Sequence, residues 1–150
     1  MIIATPYIQY SKVTYKYKLE ADFFVYLPTS FLPLTEHKTD YLTLSGDGKL
    51  ILHKGYCSDG ASGPTIDTPS SMRGAFVHDA LYQLFRMGLI STDHRLDADQ
   101  LLYDLTYEDG MYGWRCKLWR RELGKFGAVN ADPNKKNPVY IAPKSKRSKL

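Results

Sequence analysis

A chain of 150 residues with 43% hydrophobic and 13% aromatic side chains is long enough to bury one core and too apolar for a disordered polymer. Its two cysteines, Cys57 and Cys116, exclude a multi-disulfide scaffold and a four-cysteine zinc site, and free thiols are the simpler reading. The net charge of +4 is uneven. Residues 130–150 carry Lys135, Lys136, Lys144, Lys146, Arg147 and Lys149 against Asp132, a local +5 that leaves −1 for the rest, so basicity is expected in the tail and not in the fold.

Residues 7–19 alternate, with Val13, Tyr15, Tyr17 and Leu19 on one side and Lys12, Thr14, Lys16 and Lys18 on the other, which predicts one half-buried antiparallel strand. Residues 21–27 read as a more apolar strand ended by Pro28, and residues 28–40 as a loop. Residues 41–45 and 49–56 read as two short strands joined by Gly46-Asp47-Gly48, a hairpin signal. Together these predict a small meander sheet whose last strand leads into a loop marked by Gly60, Gly63 and Pro64.

A helix follows, with Ser70 or Ser71 as N-cap, Phe76, Val77, Ala80, Leu81, Leu84 and Phe85 at helical spacing, and Gly88 as its stop. A second helix starts near Thr92, capped by Thr92 or Asp93. It carries Ala98, Leu101, Leu102 and Leu105 on one stripe and Asp97, Asp99 and Asp104 on its flanks. A third begins near Met111, with Trp114, Leu118, Trp119, Leu123 and Phe126 as its buried stripe, Arg115, Lys117, Arg120 and Arg121 elsewhere around it, and Gly127 as its end. The expected fold is therefore α+β: a single domain over residues 1–129, with an N-terminal antiparallel sheet and about three packed helices, then a basic extended tail over 130–150.

The first helix bears His78, Asp79 and Tyr82. His78 and Tyr82 are four apart and share a face. A His-Asp pair on an apolar helix has three readings, because both groups are costly to bury alone. The pair caps the preceding loop by hydrogen bonding, or His78 is a base or ligand while Asp79 holds a cation, or the two fall on the surface by accident, as charged residues often do. The loop itself suits either a hard cation, through backbone carbonyls and a carboxylate, or an oxyanion, through exposed amides. Cys57 with His78 would be a nucleophile–base pair with no further support, and Ser62 lies in G-A-S-G, which lacks the nucleophile-elbow pattern.

The run Gly55-Tyr56-Cys57-Ser58-Asp59-Gly60-Ala61-Ser62-Gly63-Pro64, then Val77-His78-Asp79-Ala80-Leu81-Tyr82, then Arg95 and Ala98-Asp99, resembles a bacteriophage and prophage family known only as a domain of unknown function. The resemblance spans roughly residues 40–127 and implies a viral source. More loosely, a glycine loop, a helix with His-Asp-x-x-Tyr and a second helix with Asp is similar to secreted phospholipase A2. That similarity implies His78 as the base that activates water, Asp99 as the acid that orients it, Tyr82 as support, and calcium held by Asp79 and the carbonyls of Tyr56, Gly60 and Ser62. The cysteines that flank the His-Asp pair in that family are absent: Ala75, Phe76 and Leu81 stand nearby instead.

Two function classes follow as expectations. One is a small metal-assisted hydrolase acting on an ester of lipid or cell envelope. The other is a non-enzymatic virion component of tail, baseplate or neck, whose tyrosine-rich sheet and basic tail contact other virion proteins or an acidic partner. The N-terminal stretch lacks a basic region followed by a long apolar run, and no segment approaches the roughly 20 apolar residues of a membrane span. Synthesis in the host cytoplasm, with incorporation into a virion, is the matching expectation.

Overall fold

The computed structural model describes residues 2–5, 8–13, 16–60 and 67–134. The N-terminal half forms small antiparallel sheets, and three helices follow, so the fold is α+β. Strand β1 (Tyr10–Val13) pairs with β2 (Lys16–Leu19), Val13 lying opposite Lys16. The alternation over residues 7–19 thus belongs to two strands and not to one. Period-two patterning continues across a tight reversal, and no Gly, Asn or Asp in this run announces a turn.

Strand β3 (Phe23–Tyr26), β4 (His37–Lys38), β5 (Leu42–Leu44) and β6 (Lys49–Leu52) form a second sheet in the order β3-β6-β5-β4. The meander is therefore β4-β5-β6, with β3 added beyond β6. The stretch read as a plain loop contributes β4 and a short 3-10 turn over Thr29–Phe31. The hairpin between β5 and β6 closes on the Gly48 N–H donating to Ser45 O, with Ser45 Oγ donating to Asp47. Phe23, Val25, Leu42, Leu44, Leu50 and Leu52 alternate onto one face and are buried.

Strand β7 (Cys57–Ser58) leaves that sheet and pairs with β2, setting Tyr17 opposite Ser58. This short pairing aims the start of the glycine loop at the first helix.

Helix α1 (Pro69–Arg86) starts at Thr68, with Pro69 in the first helical position, where a missing N–H costs nothing. Ser71 Oγ accepts the Thr68 N–H. The cap lies two residues before Ser70, because the Thr-Pro step outweighs the serines. The helix ends in a Schellman motif: Gly88 has φ +69, its N–H donates to Phe85 O, and the Leu89 N–H donates to Leu84 O. Phe76, Val77, Ala80, Leu81, Leu84 and Phe85 are all buried against the sheet residues. The larger side chains contribute about 1.5–3 kcal/mol each by burial, and the single methyl of Ala80 about 0.8 kcal/mol.

Helix α2 (Arg95–Glu108) follows a 3-10 turn over Thr92–His94, in which Ser91 Oγ accepts the Asp93 N–H. Ala98, Leu101, Leu102 and Leu105 are buried, as their spacing predicts. Gly74 lets α1 and α2 approach: a Cβ there would lie 2.9 Å from Leu102 Cδ1 and from Thr106 Cγ2. Buried Arg73 ties α1 to the end of α2 and to the N-terminal segment, its guanidinium donating to Asp109, Glu108 and Thr5 O.

Helix α3 (Gly113–Ala131) passes through Gly127 and ends four residues later. Its buried face keeps part of the expected stripe: Trp119 and Leu123 belong to it, while the side chain of Phe126 lies outside the described residues. Cys116 and Trp119 are buried with Leu102 and Met111, and Leu123 packs against them. Trp114 and Leu118 instead face solvent. The small residues Cys116 and Gly127 share this buried face with Trp119, and Gly127 allows a close approach to Tyr82. Among the described residues no helix is long and apolar enough to cross a membrane. The basic residues of the tail from Lys135 onward lie outside the described residues.

Candidate functional site

Two polar clusters meet along α1. In the first, the seam between α1 and α2 brings His78, Tyr82 and Asp99 together. His78 Nε2 lies 2.9 Å from Asp99 Oδ1, and the Tyr82 hydroxyl donates to the same oxygen at 2.8 Å. Asp99 Oδ2 accepts from Arg95 Nη1 at 3.2 Å, and that nitrogen lies 3.5 Å from Leu123 O on α3. His78 and Asp99 are both buried, and the His78 and Tyr82 rings sit 4.2 Å apart. The Tyr82 hydroxyl is pushed well above its ordinary pKa by burial and by the charge of Asp99, so it stays a neutral donor.

Gly127 roofs this cluster. A Cβ at that position would come within 2.3 Å of the Tyr82 hydroxyl oxygen and 3.1 Å of Arg95 Nη1. The sequence suggests a helix stop here; the fold uses Gly127 as the gap that admits the tyrosine.

The arrangement fixes a tautomer. Asp99 accepts at both oxygens, and Tyr82 and Arg95 are donors, so His78 Nε2 carries a proton when the ring is neutral. The lone pair then belongs to Nδ1. Among the described residues the ring hydrogen-bonds only through Nε2. A neutral imidazole held this way is a base at Nδ1, and a carboxylate behind it stabilises the imidazolium that forms on protonation.

The second cluster joins α1 to the glycine loop. Ser58 Oγ donates to Asp79 Oδ2 at 2.5 Å and accepts the Gly60 N–H at 3.0 Å. Asp79 is partly buried. Desolvation raises its pKa above the usual carboxylate value, the Asp59 charge adds to this, and the Ser58 bond and His78 oppose it. Of the three sequence readings of the pair, accidental surface placement does not fit the buried His78; loop anchoring describes Asp79, acting through Ser58, while His78 turns the other way, to Asp99.

The residues expected around a cation are placed unevenly. The Tyr56 carbonyl accepts the Leu19 N–H at 2.9 Å within the sheet, and the Tyr56 ring is buried. Gly60 is pressed against Asp67, whose Oδ2 would lie 2.6 Å from a Cβ there. Ser62 lies outside the described residues, as does the rest of the loop to residue 66. Among the described residues, no group of three or more His, Cys, Asp or Glu side chains is arranged to hold a metal ion. The exposed thiol of Cys57 donates to Gly55 O at 3.5 Å and has no described hydrogen bond to His78.

Sequence reasoning names Ser58 and Arg95 only within the family resemblance and gives neither a role in the site. Arg95 stands four residues before Asp99 on a predicted helix, the spacing of an ion pair, so that signal was present. Ser58 had none, because its reach to Asp79 depends on the β2–β7 pairing.

Comparison of the chain with protein-family models, with curated proteins and with solved structures finds no match.

Proposed function

We propose that this chain is a bacteriophage protein with a hydrolytic site, in which His78 is the general base and Asp99 its orienting acid, acting on an ester of lipid or cell envelope. The observation that carries this reading is the single carboxylate, Asp99, shared by His78, Tyr82 and Arg95. His78 Nδ1 takes a proton from water as the water oxygen attacks the ester carbonyl. The Nε2–H bond to Asp99 holds the imidazolium that results, and the same ring returns the proton to the departing alkoxide. Calcium, which the phospholipase similarity implies, would be held at Asp79 and would supply positive charge for the developing oxyanion when bound. Among the described residues Asp79 would supply the carboxylate and Gly60 a backbone carbonyl, while the Tyr56 carbonyl already accepts the Leu19 N–H.

The test is hydrolysis of a panel of phospholipids and short esters by the wild type and by His78→Gln, at matched folded fractions. The amide cannot take the proton, so turnover should fall roughly 10²–10⁴-fold. No turnover by the wild type on any ester would leave the second reading, a virion component of tail, baseplate or neck that contacts other virion proteins. One observation favours that alternative: the same network also ties α1 to α2 and, through Leu123 O, to α3, which is structural work sufficient to explain it.

A further inference from the structure

The outward face of α3 combines apolar and basic side chains. Trp114 is 69% exposed and Leu118, one turn on, is 46% exposed. Arg121 and Lys125 continue the same face at helical spacing. Beside this crest, a cleft of about 410 Å³ runs between α2 and α3, lined by Leu96, Asp99, Lys117, Arg120, Arg121 and Gly124. Leu96 is 64% exposed on the opposite wall. The only acid in the cleft is Asp99, and its charge is already met by Arg95, His78 and Tyr82. Among the described residues no ion pair to Lys117, Arg120 or Arg121 is seen.

We propose that this face docks on an anionic phospholipid bilayer, with lipid phosphates among Lys117, Arg120 and Arg121, and with Trp114, Leu118 and Leu96 entering the headgroup boundary. The basic side chains fit an anionic surface. The apolar ones choose among such surfaces. Leu96 and Leu118 have no ring on which a nucleotide base could stack, but they gain by leaving water for the acyl boundary, and Trp114 suits an interface with one wet and one apolar side. The proposal concerns binding and not cleavage, so it stands apart from the hydrolytic reading and is tested without turnover.

The experiment is co-sedimentation of the full chain, as wild type and as His78→Gln, with phosphatidylglycerol and with phosphatidylcholine vesicles, read beside tryptophan emission. Both proteins should partition onto the anionic vesicles, with a blue shift from Trp114, and only weakly onto the neutral ones. Lys117→Glu/Arg121→Glu should lower partitioning at least roughly tenfold, since each basic residue near an anionic surface contributes about a fivefold gain. Trp114→Ala should lose the blue shift. Trp114, Lys117 and Arg121 are exposed, so the melting temperatures of those variants should match the wild type. Undiminished binding by the charge-reversed protein would assign the effect to the basic tail and overturn the proposal. Equal binding to neutral vesicles, or displacement from anionic vesicles by single-stranded DNA in preference to glycerophosphate, would overturn it as well.

Discussion

Asp99 holds His78 and Tyr82 on one oxygen, at 2.9 and 2.8 Å, while its other oxygen faces Arg95. Three side-chain donors from two helices thus converge on this one carboxylate. Asp99→Asn puts an amide NH₂ against either the arginine or the His-Tyr pair, leaving a buried charge or donor unmatched. The expected loss is about 3–5 kcal/mol, or roughly 6–20 °C in melting temperature for a domain of this size. Asp104→Asn, where the acid accepts only from Gln100 on its own helix, should shift stability by no more than about 0.5 kcal/mol. Thermal unfolding of the two variants makes the comparison.

Two glycines of α3 should respond in opposite senses to alanine. Gly127→Ala drives a methyl group into the Tyr82 hydroxyl and should destabilise by about 1–3 kcal/mol, moving Tyr82 away from Asp99. Gly124 has open space where its Cβ would lie and is exposed, so Gly124→Ala should stabilise by about 0.5–1 kcal/mol through helix propensity alone. Denaturant midpoints of the two proteins measure both signs.

The raised pKa of Asp79 makes a pH prediction. Its folded-state value lies above the unfolded one, so the folded state holds the proton more tightly. Stability tied to this group is therefore full below the unfolded pKa, near 3.8, and declines as pH rises through the higher folded value. Asp79→Asn removes that decline. The stability difference, variant minus wild type, should rise with pH across this acidic window and level off above it. Asp109 is also raised, chiefly by burial, but is common to both proteins and cancels in the difference. Urea unfolding at a series of pH values measures it, and a flat difference would show that the carboxylate is not desolvated.

Calcium is tested at the same residue. Millimolar calcium should raise the melting temperature of the wild type, because an ion bound only to the folded state stabilises it, by about 2.7 kcal/mol at a hundred times its dissociation constant. Asp79→Asn should show no shift. An unmoved wild-type melt would remove the ion from the account and leave the His78–Asp99 chemistry as it stands.

The parts of this molecule legible in the sequence were those written in helical period. The buried stripes of α1 and α2 follow from spacing, and packing them together necessarily brings His78, Tyr82 and Asp99 to one seam. The parts that were not legible depend on contacts distant in sequence. Ser58 reaches Asp79 only because β7 pairs with β2. The split of residues 7–19 into two strands lacks a turn residue to mark it. Helical spacing puts Trp114 and Leu118 on one stripe with Trp119 and Leu123, whereas the fold buries Cys116 and Gly127 beside Trp119 and leaves Trp114 and Leu118 outward. Charge averaged over the chain outside the tail gives −1 and hides the five basic residues of α3, which stand against Glu122 alone.

The central claim is that His78 presents a basic Nδ1 because Asp99 fixes the proton on Nε2. The ¹⁵N shifts and two-bond couplings of the His78 ring report it directly, with the signal assigned by its loss in His78→Gln among the four histidines. The account predicts a neutral ring at alkaline pH with the proton on Nε2 and a pyridine-type Nδ1, and a change to the Nδ1–H form or a mixture in Asp99→Asn. A wild-type ring protonated on Nδ1, with Nε2 unprotonated towards Asp99, would contradict it, because the base would then point at the acid that is meant to orient it.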